Sequence, residues 1–138
     1  FSGIDVHGRR DLLGRVIDHV RENGRSVLVA THASDCVERL ADRLLVLHDG
    51  RIARDRRLDD IRESFVRLEV HLTDAEPWQP SCGGQWVQDG GGGLLEHDDW
   101  SSASESALRS DPRVESWRML SSSVDDYICA ASANGAFE

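Results

Sequence analysis

The sequence has 138 residues, 39% of them hydrophobic, and carries 25 acidic against 16 basic side chains, a net charge of −9. Its length and hydrophobic content suit one ordinary domain or two small units, and its acidic balance excludes a nucleic-acid partner, which needs a concentrated basic surface. No apolar run approaches the ~20 residues of a membrane-spanning helix, and three widely spaced cysteines predict a reducing cytoplasm rather than a disulfide framework.

The chain opens with a helical pattern followed by a strand pattern. Residues 8–23 place their apolar side chains on one helical stripe, and Gly24 stands where a left-handed C-terminal cap is expected. Residues 26–31 form a short valine-rich run, typical of a strand buried on both faces of a parallel sheet. His32 follows directly, so we expect its imidazole at the carboxyl end of that strand.

The same alternation continues through residue 53. A second helix is predicted to begin near Ser34, and a strand is predicted over residues 44–47. The resulting αβαβ order favours a parallel α/β sheet, in which ligands bind outside the carboxyl ends of the strands. The Asp49-Gly50 pair then predicts a tight hairpin turn into residues 52–53.

A change of pattern predicts a domain boundary near Ser64. Within residues 65–72, apolar and polar side chains alternate from Arg67 to Leu72, which is typical of a strand with one exposed face. We therefore divide the chain into a first region, residues 1–63, and a second α+β region, residues 64–138. The second region is predicted to contain a strand from Trp86, a glycine turn over residues 88–93, a strand at 94–95, a helix over 101–110, a strand over 114–120 and a last helix capped by Ser123.

Three groups of residues in the first region occur in an informative order. They are Ser2, Gly3 and Asp5 before the first helix, then His32, then the run ERLADRLLVLHDGRI. In this order and spacing residues 1–62 resemble the carboxyl half of an ATP-binding-cassette (ABC) transporter ATPase. The resemblance implies that the first group is the D-loop, which contacts the nucleotide site of an opposing cassette. It also implies that His32 is the switch histidine, which senses the γ-phosphate.

The resemblance implies a fragment of a larger ATPase. The expected fold class is α/β: the C-terminal part of a P-loop NTPase sheet followed by a small α+β accessory domain. The parent is expected to hydrolyse ATP with Mg²⁺, to dimerise with a second cassette, to bind a transmembrane permease subunit, and to lie in the cytoplasm against the inner face of the membrane. The phosphate-binding loop, the signature sequence and the catalytic glutamate are expected to precede Phe1. All 16 basic residues are arginine, so the chain also lacks the P-loop lysine, and by itself it is expected to bind no cofactor and to be inactive.

The end of the second region carries a looser resemblance. Its serine-capped acidic and apolar helix from Ser123 to Ile128 resembles the close of the small domain found after some bacterial ABC-2-type exporter ATPases. This resemblance implies export and a regulatory or dimer-forming role, whereas a generic amphipathic helix is the alternative. For the whole chain, the alternative is a stand-alone small α/β interaction module, or a regulatory ligand-binding module, without nucleotide chemistry.

Two further patterns are interpreted as having no chemical role. Residues 81–85 read much like the signature motif of the family, but they follow His32, and the glycines after them disfavour the helix that the motif requires. We predict a turn there. His32 and Cys36 are four residues apart, yet zinc needs two more ligands, so no metal site is predicted.

Overall fold

The computed structural model describes residues 6–32, 38–39 and 41–133. The chain divides into two compact units, Phe1–Asp42 and Arg43–Glu138. The predicted boundary near Ser64 lies inside the second unit, and the extent of the domains stays a prediction. The described residues form a mixed α/β fold, as expected for the class.

The described part of the first unit is dominated by helix α1, Val6–Asn23. Its C-terminus has the predicted cap, because Gly24 has a φ of +59° and the Arg25 amide donates to the Val20 carbonyl at 3.1 Å. This geometry satisfies a carbonyl that the last helical turn leaves unpaired. On the apolar stripe, Leu13 is buried.

The strand predicted over residues 26–31 is wrong for this structure. Residues 25–31 have no regular secondary structure, and the side chains of Val27, Leu28 and Val29 are 52%, 86% and 40% exposed. A strand forms only where its backbone groups pair with a neighbour, and no sheet among the described residues includes this segment. The helix predicted from Ser34 lies largely outside the described residues, although Glu38 is helical.

The second unit begins with a β-hairpin. Strands β1, Arg43–His48, and β2, Arg51–Arg57, pair antiparallel, with Leu47 opposite Ile52. Asp49 and Gly50 between them have φ values of 49° and 74°, so the predicted turn is confirmed. The expected parallel sheet is not found in the described part of the chain, because the strand after β1 returns through a two-residue turn, and such a turn joins only antiparallel strands.

A four-stranded antiparallel sheet follows, with strand order β4-β5-β3-β6. The alternating pattern of the sequence is realised in β3, where Leu68, Val70 and Leu72 are buried. They pack with Trp78, Leu95 and Leu108 into a core on one face of the sheet. The elements are α2 Leu58–Ser64, β3 Val66–Leu72, β4 Gln85–Asp89, β5 Gly92–His97, α3 Ser102–Ser110, β6 Val114–Leu120 and α4 Val124–Ala133.

Serine caps begin the last two helices, and the sequence predicted the one at Ser123. The Ser101 hydroxyl accepts a hydrogen bond from the Ser104 amide at 3.3 Å at the start of α3. At the start of α4, the Ser123 hydroxyl accepts from the Asp126 amide at 3.2 Å, and the Asp126 carboxylate accepts in return from the Ser123 amide at 2.9 Å. Each cap pairs amides that the first helical turn leaves free.

Helix α4 packs against the hairpin as well as against α2. Leu44 and Val46 on β1 are buried, and so are Tyr127 and Ala131 on α4. The hairpin of the first predicted region and the last helix of the second region therefore share one packed unit. None of the helices within the described ranges has the length and apolar character needed to span a membrane.

Candidate functional site

His32 is the one predicted site residue that lies among the described residues. It is exposed, and it stands in a bend directly after the irregular segment 25–31. The expected position at the end of a buried strand is therefore not found, because that strand is not formed. Ser2, Gly3 and Asp5 lie outside the described residues, and their place in the site stays a prediction.

The exposed imidazole of His32 is able to form hydrogen bonds with a ligand. Because the ring is exposed, one ring N–H can donate a hydrogen bond to a phosphate oxygen without any rearrangement of a packed core. Across the described ranges, no group of three or more His, Cys, Asp and Glu side chains is placed to hold a metal ion.

The residues that follow the predicted switch histidine form the β1-β2 hairpin. Arg43 binds Asp55 across this hairpin, with Nε 2.5 Å from Oδ1 and Nη2 2.8 Å from Oδ2. The hydrogen bond from Arg43 is the main reason that the pKa of Asp55 lies below its ordinary value. Both side chains are exposed, so water screens the pair and its contribution to stability is small.

Two arginines of β2 attach the hairpin to the turn after β5. Arg54 Nε lies 3.1 Å from Asp98 Oδ2. Arg56 donates from Nη1 to the Asp98 carbonyl at 2.8 Å and from Nη2 to the Ser64 hydroxyl at 3.1 Å, and it also pairs with Asp99 at 2.8 Å. These contacts join the hairpin, whose sequence resembles the ABC family, to the α+β region that follows it.

A second charged cluster lies where the four-stranded sheet meets α4. Arg67 on β3 forms ion pairs with Glu96 on β5 and with Asp126 on α4. Burial raises the pKa of Glu96, and Arg67 only partly opposes that effect. Burial also acts to raise the pKa of Asp126, but hydrogen bonds from Ser123 and the charge of Arg67 outweigh it, so this pKa is lowered. The sequence analysis missed this cluster, because its members are distant in sequence.

The segment that imitates a signature motif is a turn, as predicted. Ser81 and Cys82 lie in the turn, and Gly83 and Gly84 follow with φ values of 82° and 91°. The Cys82 carbonyl lies 2.9 Å from His97 Nε2, which fixes the turn to the end of β5. No helix begins here to aim backbone amides at a phosphate. Cys36, the other partner considered for a metal, lies outside the described residues.

The chain is similar to ATP-binding subunits of ABC transporters. It is 29% identical over 69 residues to the ABC transporter ATP-binding protein YtrB of Bacillus subtilis, covering 50% of this chain and 24% of that protein. It is 35% identical over 69 residues to the uncharacterized ABC transporter ATP-binding protein MJ1023 of Methanocaldococcus jannaschii, covering 50% and 26%. It is 35% identical over 80 residues to the thiamine import ATP-binding protein ThiQ of a Jannaschia species, covering 58% and 31%.

These similarities support the resemblance found in the motifs at the level of the ABC ATPase. No protein-family model matches the chain. The matched part spans about a quarter to a third of the length of these three relatives. About half of the chain therefore resembles part of an ABC transporter ATP-binding protein, and the activity of a whole protein is a matter for proposal.

Proposed function

We propose that this chain is part of the ATP-binding and ATP-hydrolysing subunit of an ABC transporter. The observation that carries the proposal is the similarity of about half of the chain to several ABC transporter ATP-binding proteins. The order of the D-loop-like group, His32 and the hairpin in the sequence agrees with it. In the proposed assembly, the subunit dimerises with a second cassette and binds a permease at the inner face of the cytoplasmic membrane.

His32 is proposed to donate a hydrogen bond to the γ-phosphate of ATP. A hydrogen bond to a charged partner is worth roughly 1.5 to 3 kcal/mol, which suffices to make turnover depend on this side chain. The exposure of His32 supports this role, because a phosphate can approach the ring. Ser2, Gly3 and Asp5 are proposed to contact the nucleotide site of the opposing cassette.

The irregular segment before His32 is proposed to become a strand in the whole subunit. Three consecutive apolar side chains, Val27 to Val29, are between 40% and 86% exposed. Their β-branched and aliphatic character suits a buried parallel strand, and pairing with further polypeptide of the subunit would remove them from water. This change would carry His32 to a strand end, where α/β sheets bind their ligands.

Export is proposed as the direction of transport. Its support is the resemblance of the last helix to the close of ABC-2-type exporter ATPases, and α4 has the expected serine cap and acidic first turn. One relative bears a name that states thiamine import, so direction does not follow from similarity to the family. Substrate uptake into inside-out vesicles that carry the full-length transporter would measure it directly. Uptake into right-side-out vesicles would contradict export.

The role of His32 is tested in the full-length protein. His32→Ala is expected to lower ATP turnover by about tenfold or more, the change that corresponds to ~1.4 kcal/mol in the transition state. The matched control is His19→Ala, which changes an exposed histidine on α1 and is expected to retain the wild-type rate. Equal rates for wild type and His32→Ala, measured at saturating ATP, would reject the proposed role.

The chain by itself is expected to bind no ATP measurably. It contains no lysine, and His32 is the one residue within the described ranges that is proposed to contact a phosphate of ATP. Titration calorimetry with Mg-ATP on the 138-residue chain is expected to show no saturable heat. A shift of the melting temperature that saturates with ATP would contradict this expectation.

A further inference from the structure

Within the described parts of the chain, one face of the four-stranded sheet has no helix packed on most of its area. The core side chains of β3, Leu68 and Val70, point to the face that α3 covers, and the residues between them belong to the opposite face. On that opposite face, the Arg67 cluster bounds one end of the sheet, where it meets α4. Towards β4 and its glycine turn, Val87 on this face is 59% exposed.

The open face contains a shallow depression with an apolar floor. Its volume is about 580 Å³, which is room for several side chains. Val87, Leu94 and Leu120 supply apolar surface from three different strands, and Gly92 lies in the floor. A Cβ atom at Gly92 would come within 2.8 Å of the Val70 carbonyl oxygen, so a side chain there would need the strands to shift. Glycine keeps the centre of the depression low.

Two acidic side chains and His71 line the depression beside its apolar floor. Asp89 at the end of β4 and Glu69 on β3 both line the depression. Glu69 forms an ion pair with Arg118, whereas Asp89 has no ion pair with any other described residue. Residues 64–138 as a whole hold 13 acidic residues and four arginines, a balance equal to the net charge of −9 of the full chain.

We infer that this open face is a docking surface for an amphipathic helix of a protein partner, with apolar residues on one stripe and basic residues beside them. The apolar stripe would cover Val87, Leu94 and Leu120, and the basic residues would meet Asp89 and Glu69. A helix of about 10 to 14 residues spans a sheet of this width. The inference does not depend on the proposed ATPase function.

The chemistry of the face argues against other occupants. An added strand is disfavoured here because the backbone groups of β3 and β5 are already paired within the sheet, so the occupant uses side chains only. Nucleic acid and anionic lipid are repelled by the acidic surface. A second copy of the chain would bring two regions of like charge together, which costs free energy at low salt.

The test uses a fluorescein-labelled peptide of leucine and lysine at helical spacing, about 14 residues long, and the complete 138-residue chain. Fluorescence anisotropy is expected to show saturable binding that weakens as salt rises. Val87→Arg is expected to weaken binding by about tenfold or more, since it removes apolar surface and adds a repelling charge. Met119→Arg is the matched control, because Met119 is 54% exposed but pairs in register with core residue Leu68.

A second pair of variants keeps the proposal testable if the Val87→Arg variant fails to fold. Asp89→Arg is expected to weaken binding, and Glu115→Arg on β6 is expected to change it less than about twofold. Backbone amide shifts in NMR spectra are expected to move at Val87 and Leu94 and not on α3. The proposal is overturned if the peptide does not bind, if a scrambled peptide of the same composition binds equally, or if both members of a pair lose binding equally. A dimer in sedimentation that Val87→Arg dissociates would assign the face to a second copy and overturn the proposal as well.

Discussion

Arg54 on β2 donates from Nε to Asp98 Oδ2 at 3.1 Å, which joins the hairpin to the turn that follows β5. The same two parts of the chain are also joined by the Arg56 contacts and by the packing of α4 on the hairpin. A boundary at Ser64 would separate partners that are in contact in this structure.

We therefore expect residues 64–138 to be unstable without the hairpin. Removal of residues 43–63 uncovers the apolar side of α4 and leaves Asp98 without its arginine partner, at a cost of about 2 kcal/mol or more. Urea denaturation of residues 43–138 and of residues 64–138, followed by circular dichroism, measures the difference. Equal midpoints and equal slopes would support the boundary that the sequence pattern predicts.

Asp126 is expected to make stability depend on pH in the acidic range. Its lowered pKa means that its contribution is present above the unfolded-state pKa of ~4 and is lost as the pH falls through the folded-state value. Asp126→Asn is expected to lower the free energy of unfolding at pH 7 by ~1 kcal/mol, through the Ser123 cap and the Arg67 ion pair.

The matched control for this prediction is Asp125→Asn, in the same helical turn and exposed. It is expected to change stability by a few tenths of a kcal/mol only, through the helix dipole. Thermal unfolding between pH 3 and pH 7 measures both variants. A constant difference between wild type and Asp126→Asn over this range would show that ionisation of Asp126 is not the cause.

The hydroxyl of Tyr127 is expected to be dispensable for stability. The ring is fully buried and meets Phe65 edge to face at a centroid distance of 5.2 Å, but its oxygen has no hydrogen-bond partner among the described residues. Tyr127→Phe keeps the ring and removes a buried polar atom, so we expect a change of less than ~1 kcal/mol, or a gain. Tyr127→Ala is expected to lose roughly 3 to 5 kcal/mol.

Chemical denaturation of both Tyr127 variants separates the ring from its hydroxyl. Burial raises the pKa of Tyr127, so wild-type stability is expected to fall as the pH rises above the unfolded-state value of ~10. Tyr127→Phe should reduce this alkaline loss. If Tyr127→Phe instead destabilises the protein at pH 7 as strongly as Tyr127→Ala does, the hydroxyl has a partner that this structure does not contain.

The glycine run that leads into β5 is expected to respond unequally to substitution, because Gly91 precedes the strand and Gly93 lies within it. At Gly93, a Cβ atom would come within 2.2 Å of the Val87 carbonyl oxygen and 2.7 Å of the Trp86 ring. At Gly91, the nearest atom would be 3.8 Å away, which is ordinary contact. Gly93→Ala is therefore expected to destabilise the protein by ~1 to 3 kcal/mol, and Gly91→Ala by much less. Differential scanning calorimetry of the two variants makes the comparison, and equal melting temperatures would contradict it.

Sequence pattern determined those elements whose causes are local. The stripe on α1, the Asp49-Gly50 turn, the alternation in β3 and the cap at Ser123 all depend on residues within a few positions of one another. Each was predicted, and each is present in the structure. The sequence pattern identified the glycine run only as a turn. It did not reveal the close approach of Trp86 to Gly93, because that is a contact between two strands.

The tertiary structure decided the features that depend on residues distant in sequence. Residues 26–31 have the composition of a buried strand, but a strand exists only with a partner, and the described sheets provide none for them. The antiparallel pairing of the strands, the Arg67 cluster, the attachment of the hairpin through Arg54 and the open face around Val87 likewise follow from which strands become neighbours. The order of the motifs was enough to indicate a family resemblance and to select His32, because motif order and residue chemistry are read directly from the amino-acid sequence. Where each side chain lies, and what it contacts, required the packed chain.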